Sequence, residues 1–154
     1  MKGQIQKVVV LLLFVACLAA ILFFMPKEFE KAMGNGFDPE KVEKIEVDLL
    51  PVAGKEPLGV TLQQGDEEFG KLLALLQKPN YSRSNSVNNE ITIGYEVKLS
   101  FATSEAWAWQ YGFHGGKMVE LGPYGQTKTY QISGGEETQQ AILDYLLTLE
   151  PDLS

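Results

Sequence analysis

The side chains with the reach for chemistry are few and scattered along this chain. Its single histidine, His114, stands beside Gly115 and Gly116. Two adjacent glycines supply the positive φ that a tight hairpin turn requires. An imidazole works as a general base only where a fixed partner orients it, and a hairpin tip is a poor place to hold a positioned carboxylate. His114 therefore reads as a turn residue. The single cysteine, Cys17, lies inside an unbroken apolar run and reads as a small apolar side chain. With one histidine, no cysteine beyond that run and no Asp-rich loop of calcium-ligand spacing, no metal centre is expected. No glycine-rich phosphate loop joins a strand to a helix.

Carboxylates offer one further route to catalysis. Glu96, Glu105 and Glu120 could lie on neighbouring strands, and two carboxylates about 5 to 9 Å apart suit glycoside hydrolysis. Surface acids are the ordinary reading at this net charge, and the domain is small for a sugar cleft. No set of residues meets a geometric role test. The chain is expected not to be an enzyme, with no catalytic, cofactor-binding or metal-ligating residue and no cofactor.

The strongest local feature is aromatic. Trp107, Trp109, Tyr111 and Phe113 alternate with Ala106, Ala108, Gln110 and Gly112. Large side chains on one face of a strand make a core; exposed, they would make a platform for a glycan or peptide. The core reading is preferred, because Ile91, Ile93, Tyr95, Val97, Leu99 and Phe101 alternate in the same way and need partners. On the opposite face, Ala106, Ala108 and Gly112 leave a flat strip that is a candidate docking surface.

These residues must be carried by recognisable elements. Ile45, Val47 and Leu49 alternate with Lys44, Glu46 and Asp48, the period of a half-buried strand. Residues 51–57 read as a loop, and Leu58, Val60 and Leu62 complete a hairpin. Asp66 is a candidate cap for a helix whose first turn carries Glu67 and Glu68. Phe69, Leu72, Leu73 and Leu76 form its apolar stripe, and Pro79 ends it. Residues 80–89 read as a long exposed loop. Strands over 91–101, 107–113, 118–121 and 126–132 follow. Ser133 and Glu136 fit a capping box, opening a helix that buries Ile142, Leu146 and Leu149. The two helices begin alike, which general capping chemistry explains without an internal duplication.

The N-terminal segment sets the address. Residues 8–25 contain no charge, and as a helix they would measure roughly 27 Å, close to the hydrocarbon thickness of a bilayer. Lys2 and Lys7 precede the run, and the first acid is Glu28. This asymmetry predicts a cytoplasmic N-terminus with the rest outside. A cleaved signal peptide would end in small residues followed by polar sequence, whereas Ile21 to Met25 stays apolar past Ala19 and Ala20. A lipidated Cys17 would need the apolar run to stop there, and it continues. The organisation expected is a cytoplasmic tail over 1–7, an uncleaved transmembrane anchor over 8–25, a tether over 26–41 and an extracytoplasmic domain over 42–150.

All 20 acidic residues lie beyond the apolar run, with 11 of the 13 basic ones, so that part carries a net charge of −9. Such a domain repels phosphate backbones, and nucleic acid is excluded as a partner. The fold class expected is α+β. One transmembrane helix precedes a two-layer domain with an antiparallel sheet of about six strands and two helices on one face, in the order ββαββββα. The plan, carried by the anchor and by segments such as 91–101 and 129–137, resembles small membrane-anchored or lipoprotein-like extracytoplasmic proteins of Gram-positive bacteria. That resemblance implies a location at the cell membrane and carries no functional residue across. The function expected is a non-enzymatic binding module with two contacts, the lipid bilayer through residues 8–25 and a protein or envelope partner outside. The alternative is a small sensory or regulatory subunit of a membrane complex; a cell-envelope hydrolase ranks behind both.

Overall fold

The computed structural model describes residues 2–34, 37–49, 58–84, 97–104, 107–122 and 125–149. The chain opens with helix α1 (Lys2–Phe24). Its apolar side chains face outward throughout, and Leu12, Phe14 and Leu22 are each more than 60% exposed. No part of the span Gln4–Phe24 is buried, and it is long and apolar enough to cross a membrane or serve as a signal sequence. The helix begins six residues before the apolar run does, because Lys2 to Lys7 holds no proline and its one glycine, Gly3, falls in the first turn.

Part of the stretch expected as a tether, residues 26–41, packs into the core instead. Helix α2 (Phe29–Met33) buries Phe29, Ala32 and Met33, and Phe37 is buried beyond it. The Phe29 ring lies 5.6 Å from those of Phe37 and Tyr81 and 6.0 Å from that of Phe101. Burying two phenylalanines and a methionine outweighs the freedom that a linker would have kept.

Among the described residues, seven strands form one open antiparallel sheet: β1 (Lys44–Leu49), β2 (Leu58–Gln63), β3 (Tyr81–Ser84), β4 (Val97–Ala102), β5 (Trp107–His114), β6 (Lys117–Gly122) and β7 (Gly125–Ile132). Their spatial order is β2-β1-β4-β5-β6-β7-β3. Helix α3 (Glu67–Gln77) therefore carries the chain from one sheet edge to the other. Helix α4 (Gly135–Leu147) follows β7. The expected β1–β2 hairpin is present, pairing from Lys44 with Gln63 to Leu49 with Leu58.

The seventh strand, β3, falls inside the stretch read as an exposed loop. It pairs with β7, Tyr81 opposite Ile132 and Ser84 opposite Thr129. Tyr81 is fully buried, with its hydroxyl donating to the carbonyl of Leu76 at 2.7 Å. The rest of that loop, from residue 85, and the strand expected over 91–96 lie outside the described residues.

Side chains of one strand parity join the helix stripes in a single core. Ile45, Val47, Val97, Leu99, Phe101, Met118 and Ile132 meet Leu72 and Leu76 of α3 and Ile142 and Leu146 of α4. The other parity carries Lys44, Glu46, Asp48 and Lys98, which reproduces the expected alternation.

The caps differ from expectation. The residue before α4 is Gly134 at φ 82, and Ser133 does not cap the helix. Its hydroxyl oxygen accepts instead from the Asn80 amide at 2.8 Å, tying the start of β3 to the end of β7. Asp66 does precede α3, but its carboxylate accepts from the Gln63 amide at 3.0 Å and closes the turn behind the helix.

Candidate functional site

The β5–β6 hairpin holds the one histidine. Gly115 and Gly116 take φ of 55° and 72°, the left-handed conformation expected of them. The turn is clamped onto the start of α4. The Gly116 amide donates to Gln139 Oε1 at 2.7 Å, and Gln139 Nε2 donates to the Phe113 carbonyl at 3.3 Å. The Gly116 carbonyl accepts from the Ile132 amide at 3.1 Å. A Cβ on Gly116 would lie 2.7 Å from the Glu136 amide nitrogen. Through all of this, His114 stays exposed. Among the described residues, no three His, Cys, Asp or Glu side chains gather into a metal-holding group.

The aromatic stripe divides. Tyr111 and Phe113 are core residues, each 1% exposed. The Tyr111 hydroxyl donates to the Met33 carbonyl at 2.9 Å, so α2 is bonded to the sheet through a side chain near the middle of β5. Burial pushes the Tyr111 phenol above its ordinary pKa, and the Glu120 carboxylate opposite it adds in the same direction. Trp109 is half-buried, its ring edge-on to Phe37 at 5.1 Å. The Trp107 backbone pairs with Ala102, while its side chain lies outside the described residues. The flat strip is not an open surface at Gly112, which is buried, and nearby on that parity Val119 and Thr129 pair and are buried too. Ala106 and the Ala108 side chain lie outside the described residues.

Of the three carboxylates, Glu96 and Glu105 lie outside the described residues. Glu120 sits beside Lys128, whose ammonium is 3.4 Å from Oε2. An ion-paired carboxylate of this kind holds a strand pair together.

Two features emerge that strand and helix periodicity had not signalled. One is a groove of about 420 Å³ where the end of α3 meets the start of α4, lined by Leu75, Pro79, Ala141 and Ile142 with Glu137 and Thr138. Its walls come from two segments far apart in sequence, one around Leu75 to Pro79 and the other around Ser133 to Ile142, so no local pattern marks it. The other is the junction of α1 with the sheet. Lys27 and Tyr81 exchange both backbone hydrogen bonds at 2.8 Å. The Arg83 guanidinium lies 5.5 Å from the Phe23 ring centre and 5.6 Å from that of Tyr130. Arg83 is the inward-parity partner of Tyr130, an unusual position for a charge, which hid β3 from the alternation test.

Comparison with family models, with curated proteins and with solved structures finds no match to this chain.

Proposed function

We propose that this chain is a membrane-anchored extracytoplasmic binding module, with its N-terminus in the cytoplasm and its folded part outside, acting by contact with a protein or envelope partner and not by catalysis. The observation that carries the reading is α1. An apolar helix exposed along its whole length is untenable in water, and a bilayer satisfies both its side chains and its internally bonded backbone. Lys2 and Lys7 before the span favour the inward N-terminus. For the partner, the groove between α3 and α4 offers a concavity lined by apolar Leu75, Pro79, Ala141 and Ile142 beside polar Lys78, Glu137 and Thr138, the mixture of a recognition site.

A second reading, a sensory or regulatory subunit, draws support from the junction. With Lys27 locked to Tyr81 and Phe29 in the core, there is no slack between α1 and the domain. A change in the domain would be felt by the helix.

Photo-crosslinking in intact cells tests both. With a crosslinker at Ala141 in the groove, a discrete protein adduct is expected, absent when the crosslinker replaces exposed Gln110. No adduct from Ala141 would remove the groove as the contact surface. Exchange of residues 1–25 for an unrelated membrane anchor separates the readings: a binding module keeps its adduct, and a subunit that pairs through α1 loses it.

A further inference from the structure

We propose that the junction of α1 and β3 is a binding site for the phosphodiester headgroup of an anionic lipid, with Arg83 and Lys27 as its cations. The inference rests on the membrane reading of α1 and adds to it a specific contact made by the folded part.

The first support is the pattern of ion pairs. Lys31, Lys41, Lys44, Lys71, Lys98 and Lys128 each meet a carboxylate within 3.6 Å, as expected where acids outnumber bases. Among the described residues, Lys27 and Arg83 meet none, and neither do Lys7 and Lys78. The nearest acids along the chain are engaged elsewhere: Glu28 pairs with Lys31, and Glu30 accepts from Gln77. The two cations next to the end of α1 are thus left for an external anion.

The second support is depth. Residues 8–25 measure roughly 27 Å as a helix, close to the thickness of a bilayer's hydrocarbon layer, and Phe23 falls in their last turn. The Phe23 ring therefore stands at the boundary between hydrocarbon and headgroups, and it is the ring against which Arg83 lies. A phosphate at that level belongs to a lipid. The third support is orientation. The guanidinium lies within cation–π distance of two rings, Phe23 and Tyr130, which fixes it while its N–H donors remain suited to two phosphate oxygens at once. Lys27, bonded through its backbone to Tyr81 two residues away, adds a second charge on the same edge.

The test is native mass spectrometry of the full chain released from phosphatidylcholine nanodiscs, with and without phosphatidylglycerol. The wild type is expected to retain phosphatidylglycerol in preference to phosphatidylcholine. Lys27→Gln with Arg83→Gln lowers that retention about 25-fold, roughly fivefold for each cation at a membrane surface. Lys41→Gln with Lys71→Gln, an equal loss of charge at exposed ion-paired lysines, leaves retention unchanged. Arg83→Lys keeps the charge and most of the retention, so the result does not depend on Arg83→Gln alone. Equal retention of the two lipids by the wild type, or equal retention by the wild type and the double variant, overturns the proposal. A chain that inserts but shows no lipid preference defeats this inference alone; a chain that never enters the nanodisc defeats the membrane reading as well.

Discussion

Replacing Phe29 with alanine distinguishes a packed junction from a free tether. The ring is fully buried and meets those of Phe37, Tyr81 and Phe101 at 5.6 to 6.0 Å. Truncating such a phenylalanine costs about 3 to 5 kcal/mol, transfer and cavity together. A small domain holds only about 5 to 15 kcal/mol in total. At roughly 3 to 5 °C for each kcal/mol in a domain of this size, the melting midpoint falls by about 10 to 20 °C. The assay is thermal and urea unfolding of a fragment beginning at Pro26, followed by tryptophan fluorescence. Trp109 reports directly, because its ring meets Phe37 edge-on and Phe37 meets Phe29 in the same way. Lys31→Ala is the control, since its pair with Glu28 is exposed on both sides and leaves the midpoint where it was. A drop below about 1 kcal/mol for Phe29→Ala, within the range of surface substitutions, would refute the packing argument. A fragment beginning at Phe37 would then fold as well as the one from Pro26, where we expect it to lose cooperativity.

Other outcomes follow from single contacts. Gly116→Ala sets a Cβ against the backbone of Gly135 and Glu136 at a positive φ and costs about 3 kcal/mol or more; Gly115→Ala meets open space and costs about 1 kcal/mol, as urea midpoints will show. Burial raises the phenol pKa of both Tyr81 and Tyr111 above 10.0, so above about pH 10 the unfolded chain has lost protons that the native one keeps. Stability is therefore full below pH 10 and falls above it, by up to about 1.4 kcal/mol per pH unit for each tyrosine; Tyr81→Phe should make the fall shallower in alkaline urea titrations. Trp109→Ala, at a half-buried site, costs about 2 kcal/mol, and an unchanged midpoint would return Trp109 to the surface as a recognition residue.

Elements whose signal is carried by their own residues were legible from sequence. The apolar run of α1, the alternation of β1 and β2, the stripe Phe69, Leu72 and Leu76, and the glycine pair of the β5–β6 turn all appear in the structure where they were expected. What stayed hidden depends on distant partners. β3 is four residues with one apolar side chain, and it exists because β7 and Lys27 flank it. The Ser133 hydroxyl had a suitable helix after it and a better claim from Asn80, 53 residues away. Phe29 and Phe37 sit on either side of Gly34 with no periodicity between them, so only the cavity they fill identifies them as core. The α3–α4 groove and the pairing of Arg83 with Phe23 are likewise products of tertiary contact.

The central claim is that α1 lies in a membrane with the folded part outside. It is tested most directly by adding protease to intact cells that carry the chain with a tag at each end. The C-terminal tag is expected to be lost, while the N-terminal tag stays protected on a short fragment that remains in the membrane pellet at alkaline pH. A protected C-terminal tag, or a full-length chain that leaves the pellet, would contradict it.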